Sequence, residues 1–128
     1  MGRIGQTLAG YAKCFGMNVL YHNRRRLPQE TERELGANYV QLAELLARAD
    51  YLSLNAPATP ETYHVIDEAA ISMMPDTAYL INTARGSLVD EAALLRALKN
   101  GRLAGAGLDV LPMSRTLTRN FASWTTLF

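Results

Sequence analysis

Apolar and polar positions along the chain switch between two periods, and each switch marks an element. From Arg3 to Phe15, Ile4, Leu8, Ala12 and Phe15 recur at helical spacing, and Gly16 is a natural stop. Met17 to Tyr21 reads as a short strand. Pro28 to Leu35 predicts a charged helix, with Pro28 near its start and Gly36 after its end. Gln41 to Ala49 predicts another helix, and Tyr51 to Leu54 a strand closed by Asn55-Ala56-Pro57. Asp67 to Met74 is helical and ends at Pro75. Ala78 to Ile81 is an unbroken apolar run between Pro75-Asp76 and Gly86-Ser87, the mark of a parallel strand covered on both faces. Glu91 to Lys99 is amphipathic, with Ala92, Leu94, Leu95 and Leu98 expected inward and Asn100-Gly101 as the stop. Leu103 to Val110 is a last, glycine-rich strand. Strands separated by helices imply right-handed βαβ units, hence an α/β fold with a doubly wound parallel sheet.

Residues 111–128 break this rhythm. They are rich in Ser, Thr and Arg, with Phe121, Trp124 and Phe128 at no regular period, and are expected to be irregular. The organisation is therefore one patterned domain over 1–110 and a divergent tail.

Composition changes this picture little. A chain of 128 residues with 48% hydrophobic content suffices for one core. A net charge of +1, from 13 basic and 12 acidic residues, gives no global pull toward nucleic acid or an acidic membrane. No apolar run reaches membrane length, and Met1 leads directly into Gly-Arg-Ile-Gly rather than into a leader. The single cysteine, Cys14, excludes an internal disulfide, fits a reducing cytoplasm and reads as a packing residue. Two histidines, His22 and His64, suggest no metal site and read as structural or solvent-facing.

Candidate chemistry sits where strands end. Ile81-Asn82-Thr83-Ala84-Arg85-Gly86 carries an arginine to the carboxyl end of a buried strand, where open α/β sheets bind ligands. Its planar, permanently charged fork matches a carboxylate. Gly2-Arg3-Ile4-Gly5 matches the second half of Gly-x-Gly-x-x-Gly; alone, it is better explained by a tight turn before a helix. Its position adds meaning. Eighteen residues after Gly5, the second strand has ended at His22-Asn23, close to where an acidic ribose reader normally sits. No acid stands there. Asn23 with Arg24, Arg25 and Arg26 suits a 2′-phosphate better than a bare 2′-hydroxyl, which favours NADP(H) over NAD(H). A solvated basic loop is the plainer alternative. A nucleic-acid patch finds no interleaved aromatics or wider basic face to support it.

Taken together, these segments resemble the nucleotide-binding domain of the D-isomer-specific 2-hydroxyacid dehydrogenases, and within that family the glyoxylate/hydroxypyruvate reductases. Four ordered segments carry the likeness: Gly2 to Gln6; Leu45 to Asp50 with Leu54 to Thr62; Met74 to Asp76 through Ile81 to Gly86 and on to Asp90; and Gly107 to Val110. The resemblance implies a Rossmann-type sheet. It implies hydride transfer between a nicotinamide cofactor and a 2-oxo or 2-hydroxy acid. It places Arg85 on the arginine that binds the substrate carboxylate, and Asp109 beside the nicotinamide. Gly2, Arg3, Ile4 and Gly5 fall at the pyrophosphate, Asn23 to Arg26 at the adenosine ribose, and Pro57 and Thr83 on the cofactor lining. A homodimer is implied as well.

The chain departs from that family in three places. No histidine follows His64, whereas the family's catalytic acid is a histidine well beyond the position of Asp109. Ser114 stands where a glutamate would orient that histidine. The substrate-side domain and the first strand of the Rossmann unit are also expected to be missing. The expectation is a piece of an oxidoreductase that is inactive alone, or else a non-catalytic nucleotide-binding or protein-interaction module. Without its first strand, the sheet either closes by pairing the second and fourth strands or stays broken.

Overall fold

The computed structural model describes residues 1–109. The 111–128 tail, with Val110, lies outside the described residues.

Helix α1 spans Arg3–Cys14, and a left-handed Gly16 (φ 72°) turns the chain into strand β1, Val19–Tyr21. Helix α2, Gln29–Leu35, starts after Pro28 and stops at Gly36, whose φ of 62° a side chain would strain. Strand β2, Ala37–Tyr39, follows at once. Helix α3 (Leu42–Arg48) leads to strand β3 (Tyr51–Leu54), and helix α4 (Glu68–Met73) to strand β4 (Tyr79–Asn82). Helix α5 (Glu91–Lys99) leads to strand β5 (Gly105–Leu108). Asp67 and Asp90 cap α4 and α5 by accepting from the Ala70 and Ala93 amides, at 2.8 and 3.1 Å.

All strand pairs are parallel, but the sheet is in two pieces. β1 pairs with β2, and β3, β4 and β5 pair in that order. Among the described residues nothing pairs β1 with β3, so the sheet stays broken where a doubly wound order places another strand.

The hydrophobic core belongs to the larger piece. Leu46, Ile66, Met74, Leu80, Leu88 and Leu94 are each 2% exposed or less, and every member of this cluster lies between Leu46 and Leu103. Burying one such side chain is worth about 1.5–3 kcal/mol. β4 lies between β3 and β5; Leu80 and Asn82 are buried on one face, while Tyr79 is 38% exposed and Ile81 half-buried on the other, so the cover predicted for both faces is complete on one only. Tyr51, Tyr79 and Gly105 stand in register across β3, β4 and β5, and the two tyrosine rings stack at 5.5 Å. A Cβ built on Gly105 would lie 2.9 Å from the Tyr79 ring, so any side chain there must displace that ring.

Four expectations need correction. β2 carries no signal in the pattern, because three residues directly after a helix stop are too few for a period. On α5 the buried positions are Ala93, Leu94 and Ala97, and Ala92 faces out. On α1 the side turned inward is Gly5 and Ala9, while Ile4, Leu8 and Phe15 are 74%, 43% and 83% exposed. Cys14 is exposed rather than packed.

Candidate functional site

Parallel strands point their carboxyl ends the same way, so the loops that follow them gather at one edge of each sheet. Asn23 to Arg26 follow β1, Pro57 follows β3, Thr83 and Arg85 follow β4, and Asp109 follows β5. All of these candidate residues occupy such loops.

Asn82 organises the end of β4. Its side chain is 1% exposed; Nδ2 donates to the Arg85 carbonyl at 2.8 Å, and Oδ1 accepts from the Ala84 amide at 3.1 Å. Its own carbonyl accepts from the Asp109 amide at 3.1 Å. One buried amide therefore fixes the loop of Arg85 and stands beside Asp109. The sequence shows this asparagine at the strand end but gives no hint of its three partners. Arg85 is extended and exposed, its Nη1 donating only to the neighbouring Ala84 carbonyl at 2.7 Å. Asp109 and Thr83 are exposed as well.

The segment after β3 is tied to the same loop. The amides of His64 and Ile66 donate to the carbonyls of Ser87 and Leu88, and the Asp90 amide donates to Ile66. His64 takes a positive φ of 50° to make this crossing, and its ring stacks on Tyr63 at 3.9 Å. Below it, Oε1 of Glu91 is buried without a partner; burial pushes this carboxyl up, and the nearby His64 partly offsets the rise. Pro57 is exposed, its carbonyl accepting from the Thr62 hydroxyl at 2.7 Å.

The start of α1 suits an anion. Gly2 precedes the helix with no side-chain cap, so the first amides, those of Arg3 and Ile4 among them, have no acceptor among the described residues. Open space surrounds Gly2, while a Cβ on Gly5 would press to 2.8 Å on Met1 and 3.8 Å from Asn55 at the end of β3. One glycine leaves room for a ligand, and the other lets the helix sit close to a strand.

The loop after β1 divides its arginines. Arg24 and Arg25 are exposed and make no ion pair among the described residues, and Asn23 turns inward to donate to the Arg25 carbonyl at 3.0 Å. Arg26, grouped with them by the sequence, has both arms on Glu32 at 2.8 Å. A hydrogen bond from Thr59 lowers the Glu61 carboxyl, and the charge of Arg24 adds to this. The turn after β3 and the loop after β1 therefore share one electrostatic neighbourhood. No metal-ligating cluster occurs among the described residues, and none of their helices is long and apolar enough to cross a membrane.

Known proteins bear on this arrangement directly. The family model described as the D-isomer specific 2-hydroxyacid dehydrogenase NAD binding domain matches residues 1–124. A glyoxylate reductase of Thermococcus litoralis is 54% identical over 109 residues, covering 85% of this chain and 33% of that protein. The structure of a glyoxylate reductase from Paecilomyes thermophila superposes with a TM-score of 0.84 at 46% identity, over 94% of this chain and 37% of that one. A D-lactate dehydrogenase from Aquifex aeolicus, solved with NAD and lactic acid, gives a TM-score of 0.83 at 42% identity, over 98% and 38%. The chain spans about a third of the length of the curated relatives it matches. Its parallel α/β architecture, its strand-end loops and these matches make it a member of the D-isomer specific 2-hydroxyacid dehydrogenase family, within that family's NAD-binding domain.

Proposed function

We propose that this chain is the dinucleotide-binding part of a reductase that transfers hydride between NADP(H) and a short 2-oxo acid such as glyoxylate or hydroxypyruvate, with NAD(H) as the second cofactor. The observation that carries the reading is an exposed Arg85, without an ion pair among the described residues, whose carbonyl and the Asp109 amide both bond to the buried Asn82. Arg85 binds the substrate carboxylate through its fork and draws electron density from the adjacent carbonyl. The bound nicotinamide supplies the hydride. Asp109 lines the nicotinamide end, as do Pro57 and Thr83. The free amides at Arg3 and Ile4, with Gly2 and Gly5, hold the pyrophosphate, and Arg24 and Arg25 take the 2′-phosphate. The division into a domain over 1–110 and a tail over 111–128 belongs to the same reading.

The isolated chain binds cofactor without turning over substrate, since it spans a third of its catalytic relatives. The α1 stripe of Ile4, Leu8, Tyr11 and Phe15, all at least 43% exposed, is the surface we assign to a homodimer. The lone cysteine fits a reducing cytoplasm, and the partners in this reading are small molecules rather than nucleic acid or membrane.

The experiment is a fluorescence titration of the chain with NADPH and NADH, followed by an assay with glyoxylate. Saturable NADPH binding that weakens at least tenfold in Arg24→Ala/Arg25→Ala, with NADH little changed, supports the reading. Equal weakening of both cofactors overturns the NADP(H) preference, and no binding of either overturns the whole.

A further inference from the structure

The cofactor reading leaves one buried carboxylate unused. Glu32, on α2, is 7% exposed and accepts three hydrogen bonds, each at 2.8 Å: from the Tyr21 hydroxyl, from Arg26 Nε and from Arg26 Nη2. The Tyr21 hydroxyl in turn accepts from the Leu27 amide at 2.8 Å. The Arg26 guanidinium lies 5.7 Å from the centre of the Tyr39 ring, and Tyr39 meets Tyr21 edge-on at 5.5 Å. A bidentate pair of this kind occupies the planar fork and both carboxylate oxygens at once. The sequence puts three arginines in a row after β1, and of these Arg24 and Arg25 make no ion pair among the described residues.

We infer that Glu32 sets the charge which the loop after β1 shows to an adenosine ribose, and so sets the preference between phosphorylated and unphosphorylated 2′ positions. The inference rests on the NADP(H) reading. Glu32 is a positioning residue. It pairs the charge of Arg26 while that side chain stays 63% exposed beside Tyr39, and so leaves two guanidinium groups on the loop without an ion pair among the described residues rather than three. Neutralising Glu32 adds one positive charge near the loop. Removing Arg26 instead exposes a bare carboxylate where a phosphate must approach. Either change is one unit charge acting on a phosphate through water. That amounts to about three- to tenfold in affinity at low salt, shrinking as ionic strength rises.

The test separates this role from simple bracing. Adenosine 2′,5′-bisphosphate and 5′-AMP differ only in the 2′-phosphate, and each is titrated calorimetrically into the chain. The readout is the ratio of the two affinities, which general loosening of the loop does not move. Glu32→Gln is expected to raise the preference for the bisphosphate about three- to tenfold, and Arg26→Ala to lower it by a similar factor. Arg26→Ala/Glu32→Gln returns it to near the parent value. Tyr21→Phe, which removes two hydrogen bonds but no charge, lowers the melting temperature and leaves the ratio unchanged. A ratio that stays fixed in both single charge variants overturns the inference and makes Glu32 a brace alone; so does a fall in Glu32→Gln. Equal affinities in the parent chain, with both charge variants still shifting the ratio, refute the NADP(H) preference and support the role of Glu32. A parent chain that takes neither probe overturns the cofactor reading and the inference with it.

Discussion

Replacing Asn82 tests how the site is held, because one side chain fixes the two residues that follow Thr83. Asn82→Ala removes the bonds to Arg85 and Ala84 and leaves a small void at a position 1% exposed. At about 1 kcal/mol for each hydrogen bond and about 1 more for the void, the loss is about 3 kcal/mol. Asn82→Asp keeps the volume and the bond from the Ala84 amide, but sets a carboxylate oxygen against the Arg85 carbonyl where Nδ2 lies at 2.8 Å. That oxygen satisfies the carbonyl only when protonated, so its folded-state pKa lies above its unfolded value. The folded state then binds more protons, and stability falls as pH rises from about 4, by up to about 1.4 kcal/mol per unit, until the folded pKa is passed. Urea unfolding followed by far-ultraviolet circular dichroism, at pH 4 and pH 7, measures both variants against the parent. The deficit of Asn82→Asp should be small at pH 4 and large at pH 7, while that of Asn82→Ala should not depend on pH. An Asn82→Ala chain within 0.5 kcal/mol of the parent (about the effect of a surface change), or an Asn82→Asp deficit flat in pH, refutes the role given to this residue.

Gly105→Ala forces a Cβ to 2.9 Å from the Tyr79 ring, and should cost about 1–3 kcal/mol in the same unfolding assay. Glu32 is held at about 2, chiefly by its hydrogen bonds from Arg26, so it stabilises the fold above the ordinary carboxylate range and loses that contribution as pH falls from about 4.5 toward 2. Glu32→Gln should flatten that acid limb of a melting-temperature profile. Arg85→Ala should leave the melting temperature nearly unchanged, since the side chain is exposed and bonds only to its neighbour's carbonyl.

How much could be read from the chain itself follows from what each feature depends on. β4 and the arginine beyond it were legible because a short apolar run between turn residues marks a strand and its end is local, although Tyr79 leaves one of its faces open. The inward face of α1 was not. Its closest packing uses Gly5 and Ala9, residues with little apolar signal, whereas the conspicuous Ile4, Leu8 and Phe15 face out. Periodicity finds a stripe but does not say which of two stripes is covered. The arginine run likewise looks uniform in one dimension. That Arg26 is spoken for depends on Glu32, six residues on and one helix away, aligned with Tyr21 from β1. Asn82 was visible at its strand end, but its partners come from a turn and from β5 and leave no mark in composition.

The broken sheet has a consequence for cooperativity. Every member of the core cluster lies in the piece built on β3, β4 and β5, while α1, β1, α2 and β2 contribute none. The proposed grip on the adenosine thus stands on the part with the least buried apolar surface, and the grip on the carboxylate on the part with the most. Amide exchange should be fast in the first and slow in the second. A dinucleotide reaching from Arg24 to Asp109 would act as a strut between them, making the two pieces unfold as one in proportion to its occupancy.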